Sequence, residues 1–482
     1  MSVKTHVELL QDRRTRIIAT IGPACSDVST LEKLILAGVN VFRLNMSHGD
    51  HSSHREVFLL VTEVSRRLKM PVAVLADLCG PKIRTGRFRK GGIDLVTGRM
   101  ITVSTTAEIG DDDLIVSQYD ALAKDVKPGD AILLADGVFE LEVISTTDTQ
   151  VECRVVHGGY LGNNKGINLP GVNVSAPSMT PKDLVDARFA LELGVDFIAL
   201  SFVRTAEDIN ALRDVVNNSN KTTSIVAKIE KPEALENAEE ILAATDAIMI
   251  ARGDLGVELP PEQVPTVQAQ LISMAQASGI PVIVATQMLE SMIHNSRPTR
   301  AEVTDVSHAV NSRVDAVMLS AETAAGDFPV ETVKMMDRIA RQTEAQLSES
   351  GEYGMATRQL EPPIPLWSVI ASATSRMSRD LMAKAVMVVT RSGKSAEIVS
   401  TARPDAPVVA ITHDERVYRK LCLRWGVIPI LDSAVGSANP NELARRLAGE
   451  LGLAKAGQYV LLVRGFHGDQ EKNLPSVTVI EV

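Results

Sequence analysis

Short apolar runs, each ending in a polar residue, recur along the chain. Gly38-Val-Asn-Val-Phe-Arg-Leu-Asn45, Gly194-Val-Asp-Phe-Ile-Ala-Leu-Ser201, Gly279-Ile-Pro-Val-Ile-Val-Ala-Thr286 and Arg313-Val-Asp-Ala-Val-Met-Leu-Ser320 share the scheme. Residues 16–21, 72–77, 224–230 and 246–252 read the same way, which makes eight strands. Near-continuous apolar runs are the mark of strands buried on both faces of a parallel sheet. Helical segments lie between most of them. Ser29 and Glu32 form a capping-box pattern, Leu31, Leu34 and Ile35 share one face, and Gly38 stops the helix. Thr180 is placed to cap a second helix, with Pro181 at its first position and Gly194 at its end. Eight strand–helix units predict an α/β fold, a (β/α)8 TIM barrel. The other arrangement is an open doubly wound sheet, but no Gly-x-Gly-x-x-Gly follows any strand.

Two regions break the repeat. Residues 83–176 lack helical periodicity and are rich in Val, Thr and Gly, with a hairpin signal at Asp136-Gly137. They predict an inserted small β-barrel, placed as a lid over the barrel mouth. After a loose stretch at 350–365 with Pro362, Pro363 and Pro365, a separate α/β region begins, with strands at 385–390, 407–412, 427–431 and 459–464. The expected domains are a catalytic barrel from 1–82 and 177–350, a lid from 83–176 and a C-terminal α/β domain from 351–482.

Composition narrows the function. With 50 Lys+Arg against 60 Asp+Glu and no long basic run, the chain is a poor nucleic-acid binder. Cys25, Cys79, Cys153 and Cys422 form no paired spacing, so neither a disulfide framework nor a zinc site is expected. The charged first twenty residues do not fit a secretory signal, and no apolar run approaches the roughly 20 residues of a membrane helix. A cytoplasmic location and no membrane partner are expected.

In a barrel, chemistry belongs at the carboxyl ends of the strands. Those ends supply Arg43, Asn45 and Ser47; Asp77, Lys82 and Arg84; Lys228 and Glu230; Arg252 and Asp254; Thr286; and Ser320 and Glu322. The opposite ends carry little comparable chemistry. Lys228 and Glu230 are two apart on a strand and point to one side. Glu230 and Asp254 come from consecutive barrel strands and can share Mg²⁺ or Mn²⁺, hard ions that take oxygen ligands. Lys228 is a positive point charge for a phosphoryl group in transfer. Arg43 and Arg84 can grip phosphate oxygens bidentately. A metal with several cations and little covalent chemistry is what phosphoryl transfer needs. Each residue alone has a plainer reading: an ion pair, a turn aspartate, hydroxyls on nearby backbone. Coincidence at five or more strand ends favours the joint reading. His48, His51 and His54 read as a solvated loop, with only His48 near the mouth. Cys79 has no neighbouring His to make it a nucleophile.

Longer runs carry a resemblance. Asn45-Met-Ser-His-Gly49, Asp77-Leu-Cys-Gly-Pro-Lys-Ile-Arg-Thr-Gly86, Asn163-Asn-Lys-Gly-Ile-Asn-Leu-Pro-Gly171, Lys228-Ile-Glu230, Met249-Ile-Ala-Arg-Gly-Asp-Leu-Gly-Val-Glu258, Ala285-Thr-Gln-Met-Leu-Glu-Ser-Met292, Pro298-Thr-Arg-Ala-Glu302 and Met318-Leu-Ser-Ala-Glu-Thr323 resemble the pyruvate kinases, in order, over nearly the whole chain. The resemblance implies a phosphotransferase that moves phosphate from phosphoenolpyruvate to ADP, giving pyruvate and ATP. It implies Arg43 on the transferring phosphate, and Asn45, Met46, Ser47, His48, Arg84 and Lys165 on the nucleotide. Glu230 and Asp254 would hold the divalent cation. The Gly253 backbone, Asp254 and Thr286 would bind substrate, and Lys228 would face the phosphoryl group and the enolate. Thr286, Ser320 and Glu322 are the candidates for returning a proton through water. Asn45, Ser47 and Asp77 match potassium-ligand positions. Lys82 and Leu78, however, replace the Glu and Thr of the potassium-dependent pattern, while Thr85 keeps to it. An ammonium at Lys82 would fill the charge role, so no K⁺ requirement is expected.

Thr390-Arg-Ser-Gly-Lys-Ser395 joins a strand to a helix, and fits a phosphate nest or an ordinary capped turn equally well. Val388 stands where a Walker loop needs its first Gly. The resemblance makes Thr390, Arg391, Ser392, Gly393, Lys394 and Ser395 an allosteric site for a phosphorylated metabolite, a sugar phosphate or AMP, with Arg464-Gly-Phe-His-Gly468 helping to select it. It also suggests a homotetramer. The competing functions are a metal-dependent enolate lyase or aldolase on the same barrel, a Schiff-base aldolase using Lys228, and a non-catalytic effector sensor.

Overall fold

A computed structural model describes residues 3–353, 362–466 and 473–482. Eight parallel strands close a barrel: β1 (Arg16–Thr20), β2 (Val41–Asn45), β3 (Ala73–Asp77), β4 (Phe197–Leu200), β5 (Ser224–Ile229), β6 (Ala247–Ala251), β7 (Val282–Ala285) and β8 (Ala316–Leu319). β1 pairs with both β2 and β8, which closes the ring. The strands are buried nearly throughout, because the barrel fills one face and the helices cover the other. Ile18, Leu75, Phe197, Val226, Met249 and Ile283 pack inside the ring.

The helices start where the sequence sets caps. Thr180 accepts from the Asp183 N–H, Pro181 opens the helix Pro181–Leu193, and Gly194 ends it at φ 82°. The helix Val28–Ala37 differs from expectation: Asp27, not Ser29, is its cap, accepting from the Thr30 N–H. Asp27 competes better because a carboxylate at the first turn also meets the positive end of the helix dipole.

Between β3 and β4 the chain leaves the barrel. The insert is a curled six-stranded sheet with a two-stranded ribbon, Gly92–Leu95 with Gly159–Gly162, around its own apolar core. Leu134 and Phe139 close the hairpin at Asp136-Gly137, where Ala135, Asp136 and Gly137 all take positive φ. The C-terminal region holds a five-stranded sheet. Four parallel strands match the expected ones, and a fifth, Ser476–Glu481, adds antiparallel to Tyr459–Arg464 at the edge. A short 3-10 turn of this region, Leu421–Leu423, places Cys422 and Leu423 in the core that fills the barrel, closing its floor. Around the floor, Arg16 donates to the carbonyls of Arg424 and Val427, and Arg403 grips Asp315 at 2.9 and 2.7 Å. Among the described residues no helix is long and apolar enough to cross a membrane.

Candidate active site

The carboxyl ends of three neighbouring strands converge on one ammonium, and two more join through Asp77. Lys228 Nζ lies 2.9 Å from Glu230 Oε1 and 3.3 Å from Asp77 Oδ1, and donates to Ser201 Oγ at 2.7 Å. Asp77 ends β3, and its Oδ2 accepts from Arg43 Nε at 2.7 Å. Arg43 is fixed again by a bond to Thr20 Oγ1 at 3.1 Å. Burial alone would push the Lys228 ammonium toward neutrality, but Asp77 and Glu230 outweigh it and hold its pKa above that of an ordinary lysine. The same contacts act in reverse on Asp77: burial would raise its carboxyl, while Lys228 and Arg43 together bring it below the usual range. Glu230 sits above the usual range, first through burial and then through Asp254, against the pull of Lys228.

Glu230 Oε2 accepts from the Phe202 N–H at 2.8 Å. Oε1 meets Lys228 as an ion pair but lacks the approach of a hydrogen bond, and no other donor reaches it. Asp254 stands in the first turn of the helix Arg252–Glu258, 27% exposed, with only Lys82 Nζ opposite at 3.9 Å. Two mutually repelling carboxylates, one with a buried oxygen met by the Lys228 ammonium but by no hydrogen bond among the described residues, fit a hard divalent cation. Among the described residues no group of three or more His, Cys, Asp or Glu is arranged to hold a metal ion by itself. Beside it, Gly253 N–H donates to Thr286 Oγ1 at 2.8 Å, and the Thr286 hydroxyl donates to the Ala285 carbonyl at 2.5 Å. Thr286 and Gln287 both adopt positive φ, 71° and 55°, a strain seldom kept outside functional turns. Arg252 pins that turn, donating to Asp305 at 2.6 Å and to the Thr286 carbonyl at 2.8 Å. The cavity above, ≈ 570 Å³, is lined by Arg252, Gly253 and Asp254 from the barrel and by Asp136 from the insert's hairpin turn. The insert therefore overhangs the site.

The remaining candidates are spread over several places. Asn45 and His48 lie together at the end of β2, Asn45 Nδ2 being 3.1 Å from His48 Nδ1, and Asn45 Oδ1 accepts from the Ser47 N–H. Met46 is buried, and its carbonyl accepts from Lys182. Arg84 and Lys165 meet on the two segments that enter and leave the insert, where Thr85 N–H donates to the Lys165 carbonyl at 2.7 Å. Lys82 finds its carboxylate on Asp254; both oxygens of Asp77 face Arg43 and Lys228 instead. Glu322 is buried with its oxygens on the Ser320 and Leu289 N–H groups, at 2.6 and 3.3 Å, so it shapes the loop after β8. His51 turns away from the mouth, pairing with Asp186 and stacking on Phe189. In the C-terminal domain, Thr390 Oγ1 accepts from the Gly393 N–H at 3.0 Å, and Gly393, at φ 87°, starts the helix Lys394–Thr401. Ser395 is buried there, Lys394 is well exposed, and Arg391 reaches toward Gly436. His467 and Gly468 of the proposed selecting loop lie outside the described residues.

Sequence reasoning passed over Ser201, Phe202, Thr20 and Asp305. Ser201 was visible as the polar end of its strand, but a lone serine is normally a backbone-bonding hydroxyl. Nothing in the sequence marks the backbone N–H of Phe202.

Known proteins resemble the chain over nearly its whole length. Residues 12–333 match the family described as pyruvate kinase, barrel domain, and residues 368–480 match pyruvate kinase, alpha/beta domain. A pyruvate kinase of Sporosarcina psychrophila is 45% identical over 88% of this chain and 73% of its own length. One from Clostridium perfringens is 40% identical over 94% of this chain and 96% of its own. The crystal structure of a pyruvate kinase from Cryptosporidium parvum superposes with a TM-score of 0.91 at 36% identity, covering 98% of this chain and 97% of that one. The chain belongs to the pyruvate kinase family.

Proposed function

We propose that the enzyme transfers the phosphoryl group of phosphoenolpyruvate to ADP, giving pyruvate and ATP, the last step of glycolysis. The observation that carries this reading is the Lys228 ammonium, kept charged by Asp77 and Glu230 where the strand ends converge. A held charge suits a phosphoryl group and an enolate oxygen. It does not suit a Schiff-base aldolase, whose lysine must shed its proton to attack.

Arg43, oriented by Asp77 and Thr20, grips the transferring phosphate. The Gly253 N–H, Asp254 and Thr286 orient the substrate, the first and last on its carboxylate. Asn45, Ser47, His48, the Met46 backbone, Arg84 and Lys165 hold the nucleotide, the last two moving with the lid. Glu230 and Asp254 hold Mg²⁺ or Mn²⁺, which when bound supplies positive charge to the substrate oxygens. Lys228 faces the charge that passes from phosphate to enolate. Thr286, Ser320 and Glu322 are the candidates for organising the water that protonates the enolate carbon, with Thr286 and Glu322 both held by backbone groups.

The pyruvate kinase family generally uses Mg²⁺ and K⁺. We infer that this member has its own monovalent charge in the Lys82 ammonium, which stands 3.9 Å from Asp254 rather than on Asp77 and would supply from there the charge that K⁺ supplies at the positions of Asn45, Ser47 and Asp77. Turnover in potassium-free tetramethylammonium buffer is then expected to equal that with K⁺. A large stimulation by K⁺ would remove this reading. The loop Thr390–Ser395 is proposed as the effector site for a sugar phosphate or AMP, and the enzyme as a cytoplasmic homotetramer with domains at 1–82 with 177–350, 83–176 and 351–482. If Lys394→Ala leaves activation by every sugar phosphate and by AMP intact, the effector loop is misplaced.

The central test is ADP-dependent pyruvate formation from phosphoenolpyruvate with Mg²⁺ or Mn²⁺, whose absence with both ions would overturn the proposal. Lys228→Met is expected to lower turnover by about 10³–10⁵, the range for a cation at a phosphoryl-transfer transition state. Near-normal turnover in that variant would remove Lys228 from the mechanism.

A further inference from the structure

One tight turn, Ser201-Phe202 at the end of β4, touches both members of the Lys228–Glu230 pair. Lys228 Nζ donates to Ser201 Oγ at 2.7 Å, and the Phe202 N–H donates to Glu230 Oε2 at 2.8 Å. The turn is itself strained, because Phe202 is a bulky residue at φ 55°. What over-determines it is the root of the lid. On the outgoing side, Ser201 Oγ donates to the Leu78 carbonyl at 2.7 Å. Gly80, two residues on, lies so close that a Cβ there would meet the Phe202 ring at 2.7 Å and Ser201 Cβ at 3.0 Å. On the returning side, Ser178 Oγ donates to the Phe202 carbonyl at 2.8 Å. Asp183 then ties the two sides together, Oδ1 accepting from the Gly80 N–H at 3.0 Å and Oδ2 from the Thr180 N–H at 2.9 Å. Ser178, Ser201 and Asp183 are all buried, so water does not compete for these bonds.

We propose that the Ser201-Phe202 turn is a positioning element that passes the setting of the lid root to Lys228 and Glu230, with Ser201 and Ser178 its side-chain contacts. The proposal rests on the roles assigned above to Lys228 and Glu230. Its logic is geometric. The ammonium has one neutral partner, Ser201, and that hydroxyl spends its own proton on a carbonyl of the outgoing lid strand. A shift of Leu78 or Ser178 therefore moves the donor for Glu230 and the acceptor for Lys228 together. Displacement of a reacting group by about 1 Å can cost on the order of 10²-fold in rate. Closure of the lid over a nucleotide and alignment of the pair thus become one event, and nucleotide binding is read at the phosphoryl-transfer centre without a residue that touches both.

The test uses the full-length protein and three variants beside Lys228→Met. Ser201→Ala removes the hydroxyl, Ser201→Thr keeps it, and Ser178→Ala loosens the turn from a residue that contacts no reacting group. The expected result is a fall in kcat of roughly 10- to 100-fold for Ser201→Ala, given the cost of misplacement, with recovery to within a few-fold in Ser201→Thr. Ser178→Ala is expected to show a smaller kcat loss with an unchanged KM for phosphoenolpyruvate. The double variant Ser178→Ala/Ser201→Ala is expected to be no slower than Ser201→Ala, because both act through one turn. Binding of Mn²⁺ in the absence of substrates, read from the loss of the free-ion electron paramagnetic resonance signal, is expected to weaken in Ser201→Ala and Ser178→Ala. Normal kcat and Mn²⁺ affinity in Ser201→Ala would overturn the proposal. So would strictly multiplicative losses in the double variant, or a fall in melting temperature alone. If Ser201→Ala does not fold, Ser178→Ala decides: unchanged kcat and Mn²⁺ affinity there sink the idea. Near-normal turnover in Lys228→Met would instead locate the failure in the underlying catalytic assignment.

Discussion

At the scale of single residues, the molecule keeps charge in places where burial resists it, and each case has its own consequence for pH. Lys228 and Asp77 sustain one another, so neither changes charge near neutrality. His6 does the opposite. It is fully buried beside Arg16 and Arg13, neither ring nitrogen has a hydrogen-bond partner among the described residues, and burial with those two cations pushes its pKa down to about 3. An unfolded chain would protonate this imidazole near the ordinary 6.5. A depressed histidine therefore leaves stability intact above 6.5 and removes it as pH falls from there toward 3. Each unit of that window is worth about 1.4 kcal/mol. His6→Phe is expected to flatten the loss of melting temperature between neutral and acid pH, compared with the parent chain. A parallel pair of curves would mean that the imidazole is solvated. This feature was not legible in the sequence, because His6 sits among Lys4, Glu8 and Asp12 and reads as surface. Its helix lies against the C-terminal domain, whose core takes in Val7 and Leu10.

At the scale of elements, the barrel strands were the most legible part. Arg16–Thr20, Ala73–Asp77 and Ser224–Ile229 have every position buried, so their apolar runs carry little noise. The edge strand Ser476–Glu481 escaped notice because it is only partly covered and alternates weakly. The helix Val3–Leu10 is too short for periodicity to distinguish it from a charged tail. The strand ends named residues that the fold does bring together, Asp77, Lys228 and Glu230, but not the network that joins them. A residue type shows what a side chain can do, not which backbone N–H it will meet, and the Phe202 and Ser320 amides are decided by the turns that carry them. The turn before β8 illustrates the energetic side. Asp315 accepts two bonds from Arg403, one from the Trp425 N–H and one from the Val282 N–H. Removing one partner of a buried pair leaves the other desolvated and uncompensated, a cost of about 3–5 kcal/mol. Arg403→Met is accordingly expected to lower the melting temperature clearly. Arg403→Met/Asp315→Leu should recover part of the loss, since the orphaned carboxylate is then gone. Failure of the second change to help would show that the pair's value lies in interface geometry rather than charge.

At the scale of the whole molecule, two regions meet the barrel at opposite ends: the lid at the mouth, the C-terminal domain at the floor. The proposed effector loop is packed against the floor by one short path. A Cβ at Gly393 would lie 3.3 Å from Val417 and 3.5 Å from Leu421, the residue that begins the turn closing the barrel. Replacement of Gly393 by Val is expected to strain both the positive φ and this contact, and so to lower activation by an effector before it lowers basal turnover; equal losses in both would argue against a path through Leu421. Cys422 and Leu423 complete an interior otherwise built from β1 to β8. During synthesis those two residues leave the ribosome long after β8, and until they arrive the ring has an apolar well open to water at its base. A chain released at the end of the barrel would carry that well permanently. The barrel is therefore complete as a fold by residue 319 but complete as a solid only once Leu423 exists, which makes the last domain a late, internal part of the first.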